Sequence, residues 1–154
     1  MKRNLLCKVM LLVIGTTFFT GCGSAASAGP KPESFVSVKG AVTMDNKPLE
    51  GAMVIFFPQD AMMGDGANAI TDASGNFELT TGGASGAVPG NYRVLVSRLV
   101  DPSGRPVIAT PDTPPANLGA IESLPSRYSD YTQSVLKSKV AQQGGTFDFK
   151  LTSR

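Results

Sequence analysis

Few side chains in this sequence have reactive chemistry, and they fall into two groups. The first is a lone thiol. Cys22 sits in "FFTGCGSAASAGPKPES" (Phe18 to Ser34), between an apolar run and a tail of small residues, and the only other cysteine is Cys7. The second group is "PQDAMMGDGAN", where Asp60 and Asp65 flank Met62 and Met63 with Asn68 close by. Carboxylates and carbonyls suit calcium, and thioethers suit Cu(I). Two carboxylates in a glycine-rich stretch fall short of a calcium signature, so a solvated turn is expected there, with no metal and no cofactor.

What is missing narrows the chemistry further. The 154 residues include no His and no Trp, which removes the commonest general base and metal ligand. No G-x-S-x-G elbow is present, and no serine has a plausible partner base. No catalytic residue is therefore expected, and the protein is read as not an enzyme. Of 14 basic residues, Lys2, Arg3 and Lys8 precede Cys22, which leaves 11 against 12 acidic residues in the remainder. With no run of Lys or Arg left, binding of nucleic acid through phosphate neutralisation is not expected.

The cysteine's setting gives it an address. Met1 to Lys8 is positively charged, and Val9 to Phe19 is mostly apolar. At 1.5 Å per residue that run spans about 17 Å, against roughly 30 Å of bilayer hydrocarbon. It suits the middle of a secretory signal better than a membrane-spanning helix. Phe19-Thr20-Gly21-Cys22 resembles a bacterial lipobox, with Phe19 where Leu is usual. The resemblance implies removal of residues 1–21 and a diacylglycerol on the Cys22 thiol. Cys7 would leave with the leader, so no internal disulfide is expected. Two or three acyl chains make a durable anchor where one is marginal. Residues 22–34, small and punctuated by proline, read as a flexible tether reaching roughly 20 Å.

From Phe35 the pattern changes to period two. Val36, Val38, Gly40, Val42 and Met44 alternate with smaller or polar residues, as in a half-buried strand. Asp45 to Pro48 is turn chemistry. "GAMVIFFP" (Gly51 to Pro58) predicts a second strand with Ala52, Val54 and Phe56 on one face. Its other face, Met53, Ile55 and Phe57, is apolar too, and is either covered by the long loop or the tail or forms a partner-docking patch.

"ANAITDASGNFELTT" predicts a strand, a turn at Asp72 to Gly75, and a strand with Phe77 and Leu79 inward. Pro89-Gly90 suits the centre of a type II turn before a strand carrying Tyr92, Val94 and Val96. Leu99 to Ser123 is rich in proline and lacks periodicity, so it reads as a loop. Val135 to Val140 and Thr146 to Leu151 are expected to pair as a closing hairpin. About seven short strands over residues 35–154 argue for an all-β antiparallel sandwich.

"VKGAVTMDNKPLEGAMVIFFP", "AITDASGNFELTT" and "VPGNYRVLVSR", in that order, resemble the carboxypeptidase regulatory-like, transthyretin-like β-sandwich. The match covers Val36 to Arg98, and the closing segment is similar to that of small bacterial lipoproteins carrying this domain. The resemblance implies a seven-stranded Greek-key (prealbumin-like) sandwich on a lipid anchor. Relatives that hydrolyse 5-hydroxyisourate use histidines and end in Tyr-Arg-Gly-Ser, whereas this chain ends Leu151-Thr152-Ser153-Arg154. Related surface sandwiches form a Lys–Asn isopeptide; here the last strand offers Asp148, and parity points Lys39 outward.

The expected function is a non-enzymatic, lipid-anchored module of the cell envelope, facing the periplasm or cell surface. Its expected partners are the membrane, through the anchor, and an envelope protein or polysaccharide. The alternatives are a carbohydrate- or polymer-binding module using Tyr92, Tyr128 and Tyr131, and a calcium-dependent adhesion domain.

Overall fold

The computed structural model describes residues 35–59, 64, 66–108, 110 and 112–154. The leader, the tether with Cys22, and Asp60, Met62, Met63 and Asp65 lie outside the described residues. In chain order the strands are β1 (Val38–Met44), β2 (Lys47–Pro48), β3 (Met53–Pro58), β4 (Ala67–Ile70), β5 (Asn76–Glu78), β6 (Thr80–Thr81) and β7 (Ala84–Ser85). Then follow β8 (Gly90–Ser97), β9 (Leu99–Val100), β10 (Ile121–Glu122), the short helix α1 (Ser126–Ser129), β11 (Lys137–Val140) and β12 (Gly145–Leu151).

These strands build an all-β sandwich. In the first sheet β1 is central, with β12 on one side and β2 and β5 on the other. The second runs β11-β8-β3-β4-β6-β7. The alternation in β1 buries Val38, Gly40 and Val42, and Val54, Phe56, Tyr92, Val94 and Val96 face them from the second sheet. Between the layers sits an aromatic cluster. The Phe56 ring lies 5.5 Å from Tyr92, 5.9 Å from Phe147 and 6.1 Å from Phe149.

Turn chemistry places the sheets. Asp45 and Asn46 both have positive φ, 49° and 63°, as a two-residue type I′ hairpin requires, and Met44 pairs with Lys47 across them. The Asp72 turn carries the chain from β4 in one sheet to β5 in the other. The Asp72 carboxylate accepts the amides of Ser74 and Asn76, each at 2.8 Å. The run then bends at fully buried Leu79, so that β5 pairs with β1 and β6 with β4.

Thr71 ties this turn to the segment between β2 and β3. Its buried hydroxyl donates to the Leu49 carbonyl at 2.5 Å and accepts the Ala52 amide at 2.8 Å. Thr71→Val keeps the shape but strands both backbone groups. It is expected to cost about 2–3 kcal/mol by chemical denaturation, with Thr71→Ser recovering most of the loss.

Several sequence expectations need correction. The closing hairpin does not form: β11 pairs antiparallel with β8 and β12 pairs with β1, so the Ala141–Gly144 turn carries the chain between sheets. The sandwich is not purely antiparallel either, because β1 and β12 run parallel from Val38↔Gly145 to Met44↔Leu151. Gly40 makes room for this pairing, since it lets the β12 backbone approach β1 closely at the Phe147 carbonyl. Gly90 has φ 159°, close to fully extended, and pairs with Val140 as the first residue of β8 rather than centring a type II turn. Gly75, by contrast, ends the expected Asp72 to Gly75 turn with a positive φ of 76°.

The Leu99–Ser123 stretch is more structured than a plain loop. β9 and β10 close its base, and a 3-10 turn spans Pro115–Leu118.

Candidate functional site

The outer face of the second sheet gathers the residues with chemistry to offer. Met53, Ile55 and Phe57 alternate outward along β3 and are all half-buried. Across the sheet Phe57 registers with Arg93 of β8, and Arg93 with Lys137 of β11.

The segment after α1 folds over this row. Tyr131 presents its ring to Phe57 at 5.2 Å, edge-on at 76°. The Arg93 guanidinium stacks 5.1 Å from the Tyr131 ring centre and donates from Nη1 to the Tyr131 carbonyl at 2.7 Å. The segment is held by Asp130, whose carboxylate accepts the Thr132 amide at 2.7 Å and the Gln133 amide at 3.1 Å. Buried Ser134 fastens it to β8 by donating to the Val94 carbonyl at 2.5 Å.

At the other end of the face, Met53, Ile70, Leu99, Val107 and Ile108 surround an apolar hollow of about 130 Å³. Ile55 lies between the two ends. The three residues of the anticipated patch therefore have different surroundings: Phe57 beneath Tyr131, Met53 at the hollow and Ile55 in mid-sheet.

Several of the described carboxylates are occupied in holding the backbone. The Ser153 amide holds Asp45 below the usual carboxylate range, the Ser103 hydroxyl does the same for Asp101, and the Thr132 hydroxyl for Asp130. Glu122 accepts the Ser97 hydroxyl at 2.6 Å and the amides of Arg98 and Leu124 at 3.0 and 2.9 Å, sealing the base of the Leu99–Ser123 excursion. Lys39 points outward, 3.8 Å from Glu78, and registers with Thr146 rather than Asp148. Among the described residues no three of His, Cys, Asp and Glu cluster as a metal site.

The three tyrosines do not form a row. Tyr92 and Tyr128 are buried, and Tyr131 alone is exposed, at 48%. Tyr92 donates to the Val88 carbonyl at 2.6 Å, pinning the start of β8, and burial pushes its phenol up from 10.0 to about 12. The raised value means that Tyr92 supports the fold fully below pH 10 and loses that support as pH rises towards 12. Absorbance titration is expected to show one tyrosine ionising near pH 12 as thermal stability declines, with Tyr92→Phe removing both the late titration and that part of the decline.

No family model and no curated protein matches the chain. Two solved structures do. A 9R-lipoxygenase from Cyanothece is 20% identical with a TM-score of 0.35, the match covering 80% of this chain and 17% of that one. The major pilin subunit of Bacillus cereus is 9% identical with a TM-score of 0.41, covering 79% of this chain and 30% of that one. The chain thus spans less than a third of each, and likeness at this level carries no function across.

Proposed function

We propose that the protein is a non-enzymatic β-sandwich module of the cell envelope, held at the membrane by acyl chains on Cys22, with a Greek-key, transthyretin-like arrangement of its strands. Its work is structural or adhesive, and the surface around Met53, Ile55 and Phe57 meets an envelope partner. One observation supports the non-enzymatic part of this reading. Asp101 and Asp130 close local turns and Asp45 ties its hairpin to the Ser153 amide; all three are held below their ordinary range, and their acidity makes them weak bases.

The test is metabolic labelling in a bacterial host with an alkyne analogue of palmitate. The parent chain is expected to take up label and follow the membrane fraction, and Cys22→Ser to take up none. An unlabelled parent in the cytosol, with residues 1–21 still attached, would overturn the proposal.

A further inference from the structure

The β8–β11 edge of the outer face carries cations that have no acidic partner among the described residues. Lys137 and Arg93 stand directly opposite each other in the β-ladder, and Lys139 stands opposite Asn91. Like charges in that position destabilise a sheet. The two ion pairs among the described residues lie elsewhere, at Lys39–Glu78 and Arg105–Asp101. Arg93 is held in place by Tyr131, and its Nε is buried without an acceptor among the described residues. Beside these cations stand two exposed apolar side chains, Tyr131 at 48% and Val135 at 64%. Cations that oppose folding, with an aromatic and an aliphatic side chain beside them, are the composition of a surface that meets anionic headgroups.

Given the anchor proposed above at Cys22, on which this step rests, the path of the chain brings this edge towards the bilayer. Val36, where the described chain begins, bridges to Ala87, and the Ser37 carbonyl accepts the Gly145 amide at 3.1 Å. Gly145 follows the Ala141–Gly144 turn out of β11, and Gly90 pairs with Val140 at the start of β8. The tether therefore enters at the end of the sandwich where Lys139 lies, and Arg93 is about 10 Å along β8 from Gly90.

We infer that Arg93, Lys137 and Lys139, flanked by Tyr131 and Val135, form a docking surface for anionic phospholipid headgroups, so that the domain lies against its own leaflet. This goes beyond the proposed lipid anchor, whose failure the palmitate experiment detects separately.

The test uses the full chain carrying Cys22→Ser, so that no acyl group contributes. It is sedimented with vesicles of phosphatidylcholine alone or with 30% phosphatidylglycerol, a composition chosen for the assay (about one anionic lipid in three). The leader cations are common to every chain compared. Lys137→Gln/Lys139→Gln is expected to lower partition onto anionic vesicles about 30-fold, the equivalent of about 1 kcal/mol of membrane attraction per lysine. Partition onto phosphatidylcholine should stay the same. In a Cys7→Ser background, a fluorophore on Asn91→Cys is expected to be shielded from aqueous iodide by anionic vesicles, and one on Asn76→Cys, in the first sheet, is not. Equal partition of parent and variant overturns the inference. So does an Asn91 probe that anionic vesicles leave open but an acidic envelope polymer shields.

Discussion

Gly40→Ala is expected to lower the melting temperature of the domain by roughly 10–15 °C, from a loss of about 3 kcal/mol. Gly40 lies in the middle of β1, between β12 and β5. A Cβ there would sit 1.8 Å from the Phe147 carbonyl oxygen and 2.7 Å from Cζ of Phe77. The Phe77 ring could tilt away, but the carbonyl belongs to the β12 backbone. Moving it means pulling apart the parallel pair that joins the first long strand to the last. Gly83 is the control. Its φ of 89° strains any side chain, yet a Cβ there meets nothing within 4 Å, so Gly83→Ala is expected to cost about 1 kcal/mol. Thermal melts of the two variants followed by circular dichroism make the comparison. Equal shifts would show that the close approach of β12 is not what Gly40 provides.

Gly40 also marks the limit of what local pattern conveys. The alternation of Val38, Gly40 and Val42 predicts a half-buried strand, and β1 is one. The inward set Val54 and Phe56, then Phe77 and Leu79, then Tyr92, Val94 and Val96 is legible in the same way, because period two reports which face meets the core. The strand's partner leaves no such mark. Phe147, Phe149 and Leu151 alternate equally well in a hairpin with β11 or in a parallel pair with β1, and the short turn before them favours the hairpin locally. The outcome is settled by long-range packing, to which Gly40 contributes by leaving room on one side of β1.

The candidate site follows the same division. Met53, Ile55 and Phe57 are identifiable from parity alone, whereas Tyr131 comes from a stretch without periodicity and reaches Phe57 and Arg93 only through the fold. Thr71 was within the pattern T-D-x-x-G, but nothing local indicates that its hydroxyl serves Leu49 and Ala52, 22 and 19 residues away. Cys22 is read from its neighbours, and no tertiary contact enters that reading.

Phe56→Ala is expected to be the most damaging substitution of a large side chain, costing about 4 kcal/mol by urea denaturation with an unchanged m-value. Phe56 is fully buried on β3, in the second sheet, while Phe147 and Phe149 reach it from β12 in the first. Its ring is thus one of the contacts through which the parallel β1–β12 pair is held against the β3–β8 ladder. Truncation removes the transferred apolar area and leaves a cavity between sheets that cannot close without shifting both. Phe57, its neighbour in sequence, points the other way and is only half-buried, so Phe57→Ala is expected to cost about 1–2 kcal/mol. A double-mutant cycle between Phe56 and Phe149 isolates the ring contact and is expected to give about 0.5–1.5 kcal/mol of coupling. If Phe57→Ala proved as costly as Phe56→Ala, the outer face would be holding the fold together. It could not then be given up to a partner, and the patch at Met53, Ile55 and Phe57 would have to be reassigned to the core.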